Sequence, residues 1–429
     1  TTNSSTLGSH SLSRRARAAG GQPIGALMHK ALSRPELISL AAGFVDQATL
    51  PVEAVDEAWQ AIAGEPSAAH AALQYGTTAG YRPLRELLLA AQRERDGRPK
   101  AWAEASPEQV LITSGSNQLL HLLTDALCDP GDIVLCVAPT YFVYLGMLRN
   151  LGVRGISLPA DDDGLDPTAL DERLRQLDAA GELHRVRAVY VVSYFDNPAG
   201  TTLSAERRRA IVDVVRRWSR DRKIYLIEDA AYRELRFDGD DLPSIKSFDT
   251  ADEHVIVCDT FSKSFSPGVR LGWAFLPREL VGPLHDLKGN IDFGSPNLNQ
   301  HLMYEAVRSG PAAEQARRMR GGYRTKRDAM LAALDEHFGD LPQARYRRPD
   351  GGLYVWLRLP SGVDAGLESR LFEAALAEGV IYVPGEYSFA EEGEPAARNT
   401  IRLSFGVQTP ARIAEGIRAL AVAVRNTTR

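Results

Sequence analysis

Residues 254–272 read HVIVCDTFSKSFSPGVRLG. The first seven form an apolar, β-branched run closing on Asp259-Thr260. That is the composition of a strand buried on both faces, as in a parallel sheet covered by helices. The run breaks into a cluster of hydroxyls around one lysine, Lys263, then a Pro267-Gly268 turn, then Arg270 seven residues past the lysine. Ligands of open α/β sheets bind outside the carboxyl ends of the strands. Only seven of the 50 Lys and Arg residues are lysine, so a lysine at such an end calls for a chemical reason.

The same texture extends outward on both sides. Apolar runs occur at QVLITS (109–114), DIVLCVAP (132–139), VRAVYVVSY (186–194), KIYLIED (223–229) and LGWAFLP (271–277). Helical periodicity fills the gaps: SNQLLHLLTDAL (116–127) stacks Leu119, Leu120, Leu123 and Leu127 on one face, and AERRRAIVDVVRRWSRD (205–221) follows Ser204 as N-cap. The expectation is an α/β fold: a large domain with a mostly parallel seven-stranded sheet covered by helices, plus a smaller α+β domain. From about residue 301 the pattern changes to an Arg-rich helix (317–338), YVWLRLP (354–360), a helix, VIYVPG, TIRLSF (400–405) and a last helix from Ala411. The expected division is an N-terminal arm and small-domain segment over 1–45, a large ligand-binding domain over 46–300 and a small C-terminal domain over 301–429.

Composition narrows the function. The chain has 429 residues, 44% hydrophobic and 24% charged, with a net charge of −5. That balance argues against a general nucleic-acid or membrane-surface binder, and no apolar run approaches the ~20 residues of a membrane span. The start, TTNSSTLGSHSLSRRARAAGG, lacks an apolar h-region and reads as a mobile polar arm. Cys128, Cys136 and Cys258 have no paired spacing, so reduced thiols in a cytoplasmic protein are expected. The nine histidines show no ligand spacing, so no metal is expected.

The strand ends carry chemistry in order. Gln109–Ser114 runs into Gly115-Ser116-Asn117 at a helix start, where backbone N–H groups and the dipole suit a phosphate. The next ends bring Asn197, then Asp229 with Tyr232, then Lys263 and Arg270. Each has an ordinary reading alone, as a cap, a turn residue or a surface charge. Their succession on successive strands selects the functional one.

With these residues in place the chain resembles the fold-type-I, pyridoxal-phosphate-dependent aminotransferases of class I/II, and within them the aminoadipate/kynurenine aminotransferase-like branch. The resemblance runs from about Gln22 to Asn426. It rests on ISLAAG (38–43), QYGTTAGYRPLR (74–85), GSNQ (115–118), APTYF (138–142), DNPAG (196–200), EDAAY (228–232), S-K-x-x-x-P-G-x-R-L-G (262–272), PDGGLYVW (349–356) and NTIRLSF (399–405). It implies an enzyme that moves an amino group between an α-amino acid and a 2-oxo acid, with pyridoxal 5'-phosphate as cofactor. Another reaction at the amino-acid Cα on the same fold (decarboxylation, elimination, cyclisation or oxidation) is the alternative. A regulator of the same fold carries an N-terminal DNA-binding domain; with about 21 polar residues ahead of the region of resemblance, no such domain is expected.

The resemblance also assigns roles. Lys263 is the Schiff-base residue and proton carrier, a task that guanidinium cannot perform. Arg270, Ser262, Thr260, Ser116 and Asn117 hold the phosphate. Asp229 pairs with the ring nitrogen, Asn197 and Tyr232 with the ring oxygen, and Tyr141 stacks on the ring. Arg402 takes the substrate α-carboxylate, with Asn197 and Gly43 beside it. Tyr75 reaches the phosphate of a neighbouring subunit, so a homodimer with shared sites is implied, and 294–300 is its second cross-subunit contact. The chain departs from the family at Asp196, where Gln or His is usual, and at Val137-Ala138, where an acidic residue often stands. Both positions bear on the polarity of the pocket.

Overall fold

This computed structural model describes residues 12–18, 25, 27, 33–34, 36–341 and 343–428. The polar arm expected over 1–21 therefore falls mostly outside the described residues. Its described part includes a short helix, Arg14–Ala18, and Arg15 pairs with Asp125 at 2.8 Å. No helix among the described residues is long and apolar enough to cross a membrane.

Seven strands of four or more residues make the large sheet: β1 Val110–Thr113, β2 Ile133–Ala138, β3 Arg154–Asp161, β4 Val186–Val192, β5 Tyr225–Asp229, β6 Val255–Thr260 and β7 Gly272–Phe275. Their order across the sheet is β3-β2-β4-β5-β6-β7-β1. Every ladder among them is parallel except those of β7, which runs antiparallel to β6 and β1. The mostly parallel seven-stranded expectation holds. Strands β1, β2, β6 and β7 are buried at every position, as unbroken apolar runs with helices on both faces require.

Two short strands complete this sheet. Gly164–Leu165 folds back on β3, and Glu392–Gly393, from far down the chain, adds parallel to the outer side of β3. Strand β3 is the one the apolar runs do not announce. Its sequence RGISLPAD is broken by glycine and proline and buries only its middle. Proline is tolerated there because β3 lies near the sheet edge.

A second sheet, antiparallel throughout, is built on β8 Tyr354–Arg358 and β9 Thr400–Ser404, flanked by Arg345–Tyr346 and Val383–Pro384. VIYVPG is two short strands rather than one: Val383–Pro384 joins β9, whereas Val380–Ile381 pairs in parallel with Ile38–Ser39. The Arg-rich helix spans Pro311–Phe338 and starts six residues earlier than its sequence pattern suggests, with proline in its first turn.

Alternation along β5 sets two carboxylates on opposite faces. Glu228 points into the layer of helix Ala205–Trp218, where it meets Arg208 at 3.2 Å; both side chains are wholly buried. Ser193 Oγ and the Ile245 N–H also donate to Glu228, each at 2.8 Å. Arg208 donates in turn to the carbonyls of Leu203, Ser193 and Pro243 and stacks on Tyr194. Burial raises the Glu228 carboxyl pKa and Arg208 opposes that rise. Arg208→Met should therefore destabilise the protein by about 3–5 kcal/mol, because it leaves an uncompensated buried charge. With Arg208 gone the folded-state pKa of Glu228 rises further above its unfolded value, so the loss should be larger at pH 8 than at pH 6. Urea unfolding midpoints at the two pH values test this.

Candidate active site

Strand register gathers the site. Thr113 and Thr260 both pair with Gly272, and Asp229 pairs with Val192 on one side and Cys258 on the other. The carboxyl ends of β1, β4, β5 and β6 thus lie along one edge, together with the start of β7. A cleft of 310 Å³ opens there, and β9 supplies its far wall through Arg402. Twelve of the residues singled out from sequence line it: Gly43, Ser116, Asn117, Tyr141, Asn197, Asp229, Tyr232, Thr260, Ser262, Lys263, Arg270 and Arg402. Larger hollows of 410, 450, 460 and 500 Å³ gather no comparable set of groups. Tyr75 is not in the cleft of its own chain. It is 82% exposed and stands edge-on to Phe293, with ring centroids 5.6 Å apart.

One end of the cleft is built for an anion. Helix Ser116–Leu127 begins there, capped by Gly115 at φ +85. A Cβ on Gly115 would stand 2.5 Å from Arg270 Nη2, so only glycine lets the guanidinium lie against the helix start. Arg270 itself sits at φ 49, uncommon for a side-chain-bearing residue, and reaches the carbonyls of Pro267 and Ser114, each at 3.3 Å. The hydroxyls of Thr260 and Ser262 are 3.0 Å apart beside it. A guanidinium, two hydroxyls and the free N–H groups of a helix start form a donor set that suits a phosphate dianion.

The floor holds Asp229, 5% exposed. Its Oδ2 accepts from Tyr190 Oη at 2.8 Å and its Oδ1 from the Ala231 N–H at 3.1 Å. Among the described residues no Lys or Arg pairs with it. Burial raises its pKa and the Tyr190 hydrogen bond lowers it. A buried carboxylate without a counter-charge fits a cationic partner brought by a ligand, such as a protonated ring nitrogen. Tyr141 lies over the other side of the cleft, its hydroxyl 3.3 Å from Asn117 Oδ1; burial pushes its phenol up to about 12.

The far side is a ring of polar groups between aromatic faces. Lys263 Nζ, a primary amine, donates to the Gly43 carbonyl at 2.9 Å. Asn197 Nδ2 donates to Tyr232 Oη at 3.5 Å, and Asn197 Oδ1 accepts from Arg402 Nη1 at 3.0 Å. Arg402 also donates to the Ala41 carbonyl at 2.8 Å, while its Nε is buried without a partner. The guanidinium lies over the rings of Tyr354 and Phe142, at 4.5 and 5.2 Å. These observations together fit pyridoxal phosphate: an anion cradle, an amine, an uncompensated carboxylate and a second cation for a carboxylate.

Sequence reasoning leaves out Tyr354, Phe142, Phe44 and Tyr190. Tyr354 owes its place to strand register: it lies two residues from Trp356, the partner of Arg402 across β8 and β9, and so shares its face. Its hydroxyl is 3.3 Å from that of Tyr232. It also lies where any side chain on Gly43 would fall, at 2.6 Å from a Cβ. The family departures do not touch the cleft: Asp196, Val137 and Ala138 are absent from its lining. Asp196 accepts from the Ala199 N–H at 2.7 Å within its own turn, and burial pushes its carboxyl up to about 7.

A family model described as aminotransferase class I and II matches residues 35–420. The chain is 34% identical over 396 residues to aromatic-amino-acid aminotransferase 1 of Thermococcus litoralis, covering 92% of this chain and 90% of that protein. It is 36% identical over 401 residues to 2-aminoadipate transaminase of Thermus thermophilus, covering 92% of each. The solved structure of Pyrococcus horikoshii kynurenine aminotransferase, in complex with PMP, superposes with a TM-score of 0.88 at 32% identity over 98% of both chains.

Proposed function

The chain belongs to the class I and II aminotransferases, and from that premise we propose a role for each residue of its cleft, a substrate class and an assembly. It is a transaminase that uses pyridoxal 5'-phosphate to move an amino group between an α-amino acid and a 2-oxo acid. The observation that carries the assignment of roles is the meeting of Lys263, Asp229 and Arg402 on one cleft.

Arg270, Thr260, Ser262 and the start of helix Ser116–Leu127 hold the cofactor phosphate. Asp229 pairs with its ring nitrogen, Tyr141 covers its ring, and Asn197 with Tyr232 takes its ring oxygen. Bound there, the cofactor supplies an electron-withdrawing ring that acidifies the hydrogen on the substrate Cα. Arg402 binds the substrate α-carboxylate, and the rings of Phe142 and Tyr354 on its guanidinium keep water off that contact. Lys263 would hold the cofactor through its amine, and that amine, once freed, would take the proton from the substrate Cα and deliver it to the cofactor carbon on the far side of the substrate nitrogen. Gly43 fixes the amine through its carbonyl while the amine is free.

The substrate class is that of large, mainly apolar side chains. Phe44, Phe142, Val143 and Tyr354 wall the cleft, and among its described lining residues the cations are Lys263, Arg270 and Arg402, each already assigned a task. A second carboxylate on the substrate would find no charge partner among them. The relatives named for aromatic amino acids and for kynurenine support this class, whereas the one named for 2-aminoadipate, a diacid, does not. An aromatic donor should therefore exceed aspartate in kcat/KM by about 100-fold, since an unpaired carboxylate is the costlier mismatch. A donor panel against pyruvate, which has no second carboxylate, measures this, and equal rates would remove the class.

The assembly is a homodimer with shared sites, in the cytoplasm. Leu73, Tyr75, Ile291 and Phe293 are all more than half exposed, and an apolar patch of that kind marks an interaction surface. Reciprocal contacts across a two-fold axis bring the Tyr75 of each copy to the other copy's cleft. The free thiols of Cys128, Cys136 and Cys258 accord with a reducing compartment.

Two further outcomes test this reading. Borohydride reduction of the loaded protein followed by peptide mapping should label Lys263; a label on any other lysine, with Lys263→Ala still turning over, rejects its role. Mixing Lys263→Ala chains with impaired Tyr75→Phe chains should restore activity above either parent, because one site of each hybrid has both groups. A fully active monomer by light scattering rules out the shared site.

A further inference from the structure

We propose that Tyr190 is a positioning residue of the reaction: its buried phenol holds Asp229 ionised and aimed into the cleft. The proposal deepens the role given to Asp229 above and rests on it. Tyr190 lies on β4 and is itself absent from the cleft lining, so it acts only through its neighbour. Its hydroxyl is the one side-chain donor to Asp229 among the described residues, at 2.8 Å; the other donor is the backbone N–H of Ala231.

Tyr190 is locked from behind. Its ring packs on that of Tyr144, with centroids 4.2 Å apart and planes inclined by 39°. Tyr144 is wholly buried, and its hydroxyl lies 3.1 Å from Thr124 Oγ1. Thr124 donates its one hydroxyl hydrogen to the Leu120 carbonyl at 2.8 Å, so it accepts from Tyr144. A fixed column therefore runs from helix Ser116–Leu127, through helix Phe142–Leu151 and β4, to the carboxylate on β5. The helix whose first residues line the anion end of the cleft also orients the group on its floor.

Hydrogen bonds to the charged form of an acid favour that form, and burial opposes it. Among the described residues no Lys or Arg pairs with Asp229 to offset its burial, so the phenol is the main local support for its charge. Removing it raises the folded-state pKa of Asp229 further, and the loss of function grows as pH falls. The titratable groups facing Asp229 do not cloud this signal. Lys263, Arg270 and Arg402 share the cleft as cations; the uncharged groups are Tyr190 from β4, Cys258 from β6, Tyr141 and Tyr232 at the cleft wall and, behind Tyr190, Tyr144. Burial raises the pKa of each uncharged group above its ordinary value, so none of them changes charge between pH 6 and 8.5.

The test uses the isosteric variant Tyr190→Phe and measures the dissociation constant of pyridoxal phosphate between pH 6 and 8.5, as a ratio to wild type so that titration of the cofactor phosphate cancels. The ratio should exceed one and grow as pH falls, up to roughly tenfold for one pKa unit's worth. A ratio that is constant with pH would mean that Tyr190 only fills space, and a ratio of one throughout would also overturn the proposal. Tyr144→Phe leaves the donor to Asp229 in place and should give a flat ratio; a rise at low pH like that of Tyr190→Phe would assign the effect to packing and overturn it too. In the half-reaction with an amino acid, the double variant Tyr190→Phe/Asp229→Asn should be no slower than Asp229→Asn alone; additive losses would show that Tyr190 does not act through Asp229. If Asp229→Asn by itself binds cofactor and turns over like wild type, the role of Asp229 falls first, and that outcome is distinct from the others.

Discussion

A carboxylate taken out of water with no cation beside it is an expensive thing to fold around, and Asp229 is that group here. It is reached by two hydrogen bonds, one from a phenol and one from the backbone, and by no positive charge among the described residues. Its neighbour in sequence shows the contrast. Glu228, facing the other side of the same sheet, is met by Arg208, Ser193 and a backbone N–H. One residue of strand separates a satisfied structural carboxylate from one left in need of a charge. That asymmetry gives the cleft its direction, with an anion cradle at one end and a cation-seeking floor in the middle. The rest of the architecture serves to keep the two apart and in register.

The far wall depends on a different linkage. Residues 41–46 form a strap whose carbonyls serve two of the cleft's three cations: Ala41 accepts from Arg402, and Gly43 from Lys263. The end of the strap is pinned by Asp46, which pairs with Lys326 at 2.6 Å and whose N–H donates to Tyr323 Oη at 3.0 Å. Lys326 also reaches the carbonyls of Gly406 and Val407, just beyond the strand that bears Arg402. The long helix Pro311–Phe338 thus holds the strap and the end of β9 with one buried ammonium. Displacing either would shift the partners of Arg402 and Lys263 together.

How much of this was legible in the sequence follows from how local each signal is. Strands β1, β2, β4, β5, β6 and β7 are apolar runs that need no tertiary knowledge, and the residues at their ends could be named at once. Strand β3 is not such a run, because a place near the sheet edge relaxes the demand for unbroken apolar sequence. Tyr354 and Phe142 could not be read as site residues, since their place follows from the register of β8 on β9 and from where a helix starts. Nothing in VRAVYVVSY sets Tyr190 apart from a core aromatic; only the packing of β4 beside β5 shows its hydroxyl meeting Asp229. Asp196 was read as a possible change in the cleft, and it caps its own turn instead.

The outer side of β3 is finished by Glu392–Gly393, with Arg154 clasping Glu392 from 238 residues away in sequence. An uncovered strand edge is a template for pairing with another chain. A protein made from its N-terminus onward therefore carries β3 uncapped while the residues between Asp161 and Glu392 are made. During that interval the nascent protein depends on dilution or on chaperones to keep like edges apart. The same geometry makes loss of the C-terminal segment a hazard to solubility as well as to catalysis, because truncation would remove Arg402 and uncover the edge at once.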